Sequence, residues 1–124
     1  MKTILVVDDE LGSAEVLSLI LEEEGYRAFC AVNGKLALVQ AREVVPDLVI
    51  VDYMMPLMNG AEFSRALRAD PRFAHTRIIL NSGLPEAAIR EQFDGYDAFL
   101  RKPFKVEALL ALAEKFIGRA DPGA

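Results

Sequence analysis

Four short stretches carry side chains able to do chemistry: ILVVDDE with Asp8, Asp9 and Glu10, LVIVDYMMP with Asp52, RIILNSG with Asn81 and Ser82, and FLRKPF with Arg101 and Lys102. In each, the polar residues follow an apolar run. Carboxylates are oxygen ligands for a hard cation, and Mg2+ takes one or two of them, leaving its other positions to water and phosphate oxygens. Asp52 can also act as a nucleophile and accept a phosphoryl group as an aspartyl phosphate. The incoming oxygens would be met by the metal, by the Lys102 ammonium and by a hydrogen bond from Ser82. Two like charges 4 Å apart repel by about 4 kcal/mol at an effective dielectric near 20. Asp8 or Glu10, with Asp9 and Asp52, would therefore repel a phosphate donor unless Mg2+ and Lys102 balanced them.

Taken singly, these residues have plainer explanations. An acid after a strand commonly caps the next helix or lies in a solvated loop, a serine there forms a turn, and lysine is ordinarily a surface residue. They point to chemistry only if they share one edge of the fold, which depends on the elements that position them.

Three runs rich in Val, Ile and Leu read as buried parallel strands, Thr3 to Val7, Asp47 to Val51 and Arg77 to Leu80; Tyr26 to Val32 and Asp97 to Arg101 are weaker. Between them, helical periodicity runs over Ser13 to Glu24, Gly34 to Val44, Ala61 to Ala69 and Glu86 to Phe93, and Val106 to Ile117 closes the series. Gly25 follows the first helix, Asn33 precedes the second, Asn59-Gly60 open the third, and Pro85 starts the fourth near its first helical position. Alternation of strand and helix predicts an α/β fold with helices on both faces of a parallel sheet. The carboxyl edge of that sheet is where ligands bind, and all four chemical stretches end there.

The 124 residues suit one domain, expected over 1–118 with a short flexible tail over 119–124, and 52% hydrophobic content supplies a core. A net charge of −5 argues against direct nucleic-acid binding and against an anionic membrane surface. With no long apolar stretch, neither a signal peptide nor a membrane span is expected, and the single cysteine, Cys30, reads as a buried small hydrophobe compatible with the cytoplasm. His75 lies before the fourth strand, at the opposite end of the sheet from Asp52, and reads as an exposed loop residue.

In order along the chain, DD, D-x-x-M-P-x-x-x-G, a serine and K-P-F resemble the receiver domains of two-component response regulators, over nearly the whole length. The resemblance implies a doubly wound, flavodoxin-like three-layer sandwich with five helices and strand order 2-1-3-4-5. It implies that Asp52 is the phosphoacceptor and that Asp8 and Asp9 position Mg2+ (or Mn2+), Asp9 most directly, with the backbone carbonyl of Met54 as a further ligand. Ser82 then matches a switch hydroxyl, Lys102 the lysine that pairs with the phosphoryl group, and Phe99 an aromatic switch, whose alternative is a plain core aromatic. The Lys102–Pro103 bond is expected to be cis. The implied partners are a sensor histidine kinase or histidine phosphotransfer domain, docking partly on the first helix with Leu17 or Leu21 as candidate contacts. A downstream protein would be met through the fourth helix, fifth strand and fifth helix.

Asn81 departs from the pattern, standing where the family ordinarily has an apolar residue; it is expected to hydrogen-bond near the site or to cap the strand. Met54 and Leu84, both apolar, stand where the family tunes phosphoaspartate lifetime. Three alternatives fit less well. A small Mg2+-dependent aspartyl-phosphate phosphatase or phosphotransferase typically needs an acid/base where Met54 stands. A flavodoxin-like cofactor binder needs a phosphate loop where DDELGS presents acids. A phosphorylation-independent interaction module would not need the chemical residues. No separate enzyme substrate is expected.

Overall fold

The computed structural model describes residues 2–119. Five strands, β1 (Thr3–Val7), β2 (Arg27–Ala31), β3 (Leu48–Asp52), β4 (Arg77–Ser82) and β5 (Ala98–Arg101), alternate with five helices, α1 (Leu11–Glu23), α2 (Gly34–Val44), α3 (Gly60–Arg68), α4 (Glu86–Arg90) and α5 (Val106–Ile117). The strands pair in parallel in the order β2-β1-β3-β4-β5, as expected. A single 3-10 turn at Pro71–Phe73, which periodicity did not reveal, joins α3 to β4 and is capped by the Asp70 carboxylate.

Side chains alternate across each strand and so build two cores. Leu5, Val7, Val49, Val51, Ile78 and Leu80 pack against Ala37 and Ala41 of α2 and Phe63 and Leu67 of α3. Ile4, Val6, Leu48, Ile50 and Ile79 pack against Ala14 and Leu21 of α1 and Leu109 and Ala113 of α5. The central strands β1 and β3 are buried throughout, which explains their unbroken apolar runs.

Helix starts follow local chemistry. The Asn33 side chain accepts from the Leu36 N–H, and Asn59 forms a reciprocal capping box with Glu62. Pro85 is the N-cap of α4 rather than its first helical residue. α1 starts at Leu11, earlier than expected, with Glu10 as its N-cap. α4 ends at Arg90 instead of Phe93, the Gln92 and Phe93 N–H groups both turning back to the Ile89 carbonyl; Arg65 Nη2 donates to the Gln92 carbonyl, its guanidinium lies 5.2 Å from the Phe93 ring, and that ring packs on the core. The tail expected over 119–124 lies, beyond Arg119, outside the described residues. Among the described residues no helix is long and apolar enough to cross a membrane.

Candidate functional site

Register places the chemical residues. Val7 is level with Val51, so Asp8 and Asp52 stand side by side; Asp52 pairs with Asn81, and Ser82 with Arg101, one residue before Lys102. Parity then sorts them by face. Asp52 and Asn81 continue the series Leu48, Ile50 and Ile79 on the α1/α5 face, and Asp8 and Lys102, one step beyond β1 and β5, continue that side. Ser82 and Phe99 fall on the opposite face, with Leu80 and the α2/α3 core.

Asp8, Asp9 and Asp52 each offer a carboxylate oxygen, all within 4.8 Å of one another. Lys102 Nζ donates to Asp52 Oδ2 at 3.0 Å and to Asp8 Oδ2 at 3.4 Å. Three carboxylates against one ammonium leave the cluster short of positive charge. Burial pushes the Asp52 carboxyl above the ordinary aspartate range; the Lys102 hydrogen bond opposes that shift and the Asp8 charge adds to it. For Lys102, burial disfavours the ammonium, but its hydrogen bond to Asp52 and the fields of Asp52 and Asp8 outweigh it and hold the group above the ordinary lysine range. Oxygen donors with a charge deficit suit a hard divalent cation better than a soft metal.

The surrounding backbone braces Asp52. Its Oδ1 accepts from the Met54 N–H at 3.3 Å, and Gly60 N–H donates to the Tyr53 carbonyl at 2.8 Å, folding the β3–α3 loop back on the strand. The Lys102–Pro103 bond is cis, as expected. Asp8 Oδ1 accepts from the Glu10 N–H, and Glu10 Oε2 from Ser13 Oγ, so Glu10 belongs to the start of α1 rather than to the carboxylate cluster.

Other expected residues stand further back. Ser82 is fully buried; its Oγ accepts from the Leu84 N–H at 3.1 Å and makes no hydrogen bond to Asp52 or Lys102. Phe99 is half-buried, its ring 6.1 Å from that of Tyr96. The Asn81 side chain neither hydrogen-bonds near the site nor caps the strand: the residue lies within β4, buried, its carbonyl accepting from the Tyr53 N–H at 2.8 Å but its Oδ1 unpartnered. Leu21 is fully buried in the α1 core and cannot serve as a contact, whereas Val16 and Leu19 of the same helix are exposed. His75 is exposed before β4, as expected.

One feature of this rim escapes sequence reading. Leu57 in the β3–α3 loop is fully exposed and holds φ at +70°, a region costly for a branched side chain. With exposed Met54 and Leu84 it gives the loops at the carboxyl edge an apolar character.

Comparison with known proteins agrees with this geometry. The family model for the response regulator receiver domain matches residues 4–114. DNA-binding response regulator MtrA of Mycolicibacterium paratuberculosis is 36% identical over 118 residues, covering 95% of this chain and 52% of the relative. Phosphate regulon transcriptional regulatory protein PhoB of Pseudomonas aeruginosa is 33% identical, covering 98% and 54%. This chain therefore spans about half the length of these curated relatives. Vibrio cholerae chemotaxis protein CheY4 superposes with a TM-score of 0.85 at 31% identity, covering 94% of this chain and 99% of that one. Thermotoga maritima response regulator TrrA, solved in complex with Mg(2+)-BeF, gives 0.84 at 33%, covering 94% and 100%. The sheet order, the acidic edge and these likenesses agree, and the chain belongs to the response regulator receiver domains of two-component systems.

Proposed function

We propose that this chain is the phosphoacceptor of a histidine-aspartate phosphorelay, taking a phosphoryl group on Asp52 from the phosphohistidine of a sensor kinase or phosphotransfer domain. One observation carries the reading: three carboxylates within 4.8 Å of one another at a sheet edge, with an ammonium 3.0 Å from the central one. Asp8, Asp9, Asp52 and the Met54 carbonyl would hold Mg2+, or Mn2+ in its place. When bound, the cation neutralises the phosphoryl oxygens and lets the donor approach an otherwise repulsive edge.

An Asp52 oxygen attacks phosphorus as the P–N bond to the partner's imidazole breaks; the electron pair returns to the ring nitrogen, which takes a proton from solvent. Lys102 stays charged beside Asp52 and meets the new negative charge. Ser82 leaves the Leu84 N–H and turns its hydroxyl to the phosphoryl group, and Phe99, on the same face of the sheet, moves inward with it. Phosphorylation then favours one of two states, remodelling the surface of α4, β5 and α5 that a downstream protein reads. The donor docks over the carboxyl edge and α1, where Val16 and Leu19 are exposed and Leu17 is half-buried. The net charge of −5 weighs against direct nucleic-acid binding by these residues, and the compartment that goes with this reading is the cytoplasm.

The test incubates the protein with acetyl phosphate and Mg2+ and follows intact mass. A phosphoryl adduct is expected in the wild type, and none in Asp52→Ala or when EDTA removes the metal. An adduct that survives Asp52→Ala, or forms equally without a divalent cation, overturns the reading.

A further inference from the structure

α2 carries an exposed face that neither the cores nor the chemistry at Asp52 uses. Leu36 is 52% exposed and Val39 49%, with Lys35 and Arg42 exposed beside them. Residues spaced i, i+1, i+4 and i+7 lie within about 120° of helix surface, so these four form one face, with the charges along one border and the apolar pair alongside. α1 repeats the same spacing with the charge reversed, as Glu15, Val16, Leu19 and Glu22, all exposed. Among the described residues none of Glu15, Glu22, Lys35 and Arg42 is in an ion pair, although the field of Arg42 reaches Asp70.

The two faces cannot meet within one molecule. α1 packs on the side of the sheet that carries Ile4, Val6 and Ile50, and α2 on the side that carries Leu5, Val7 and Val49. Between two copies they can meet, and the spacing selects a direction. Laid antiparallel, both faces keep their charged borders on the same side, so Glu15 faces Arg42, Glu22 faces Lys35, and Leu19 meets Val39 at the centre. Laid parallel, each charged border would face an apolar one. Glu23 and Glu43, both exposed, fall at the ends of the faces, where their carboxylates stay in water.

We propose that the α2 face binds α1 of a second copy of this chain, antiparallel, with Leu19 on Val39 and the pairs Glu15–Arg42 and Glu22–Lys35. The apolar centre supplies the affinity, and the charges, worth little as surface pairs, set direction and register. One helix pair is smaller than a standard interface, so the contact is weak and reversible. It is also head-to-tail: every added copy leaves one α1 and one α2 free, so growth passes beyond the dimer unless a ring closes. A copy seated on α1 covers Val16 and Leu19, where the phosphoryl donor docks, and so holds back phosphoryl transfer. That consequence rests on the function proposed above; the association itself does not.

The test is sedimentation velocity from about 10 μM to about 1 mM, the range of weak contacts, without phosphodonor or metal, so that its result is independent of Asp52. The wild type is expected to sediment faster as concentration rises and to pass beyond the dimer. Leu19→Asn and Val39→Asn, both at exposed positions, are each expected to weaken association about tenfold. Mixed in equal amounts they are expected to associate again but to stop at the dimer, since one copy keeps α1 intact and the other keeps α2. Glu22→Lys and Lys35→Glu are each expected to weaken association several-fold, and the two together in one chain to restore it. A wild type that stays monomeric up to about 1 mM overturns the proposal and leaves the α2 face to another protein. So does association that responds to Leu19→Asn but not to Val39→Asn, or that is not recovered in the mixture. A double charge variant as weak as either single one overturns the antiparallel pairing.

Discussion

Gly60 shows how tightly single residues constrain this site. A Cβ at that position would fall 2.6 Å from the Asp52 carbonyl oxygen, 2.8 Å from Leu80 Cδ1 and 2.9 Å from Tyr53 Cα. Gly60→Ala is therefore expected to destabilise the fold by about 1–3 kcal/mol, as overpacking does, and to displace the loop that carries Met54. Urea unfolding measures the first effect; an unchanged midpoint would contradict the packing argument. Met54 itself is 59% exposed beside Asp52, with its N–H on Oδ1. Replacing this apolar side chain by Met54→Asn gives hydrolytic water a hydrogen-bonding partner, so the phosphoaspartate half-life is expected to shorten several-fold, read by loss of the intact-mass adduct over time. Asp8, Asp9, Asp52 and Lys102 were legible from type and place alone. Asn81 was visible as a departure, but its missing partner emerges only from packing, and nothing local to Leu57 signals an exposed leucine at positive φ.

At the scale of elements, α4 stands out because its five residues are too few to be stable alone. It is tied down from outside: Tyr96 Oη donates to Glu86 Oε2 at 2.7 Å, Arg90 Nη2 donates to the same oxygen at 2.6 Å, and the Phe93, Tyr96 and Phe99 rings pack in sequence. The Tyr96 hydroxyl and Arg90 hold the Glu86 carboxyl below its ordinary range. A group depressed in the folded state stabilises it fully above the unfolded pKa and loses that contribution as pH falls through the folded value. Protection factors at Ala88, Ile89 and Arg90, taken against the intrinsic exchange rate at each pH, are therefore expected to fall on acidification through the Glu86 titration. Tyr96→Phe should raise the Glu86 midpoint and bring the loss to higher pH; a midpoint indifferent to Tyr96→Phe would detach α4 from this network. Periodicity located α4 but overran its end, where Arg65, a residue of α3, holds the Gln92 carbonyl. Helix ends decided by neighbouring helices leave no local mark.

At the scale of the whole molecule, the carboxylate cluster couples ion binding to folding, since its members meet only when β1 and β3 pair. A cation that binds the native state alone stabilises it by about 2.7 kcal/mol at one hundred times its Kd. Mg2+ is expected to raise the urea midpoint of the wild type, and Asp9→Asn to lose most of that gain. Asp9 is exposed, and its removal relieves repulsion, so without Mg2+ the variant should be at least as stable as the wild type. A wild-type midpoint that ignores Mg2+ would contradict the cation site.

Sequence by itself determined the alternation of strands and helices, because buried strands and amphipathic helices write different periods into the chain, and it determined that four polar clusters follow apolar runs. Parallel strands then bring those clusters to one edge without further information. The strand order came from resemblance, since strand composition does not record which neighbour is chosen. Tertiary structure alone decided the sorting by face, with Asp8, Asp52, Asn81 and Lys102 toward α1 and α5, and Ser82 and Phe99 toward the opposite core. Side-chain parity depends on register and on where each strand begins, and both are set by packing between segments far apart in the chain.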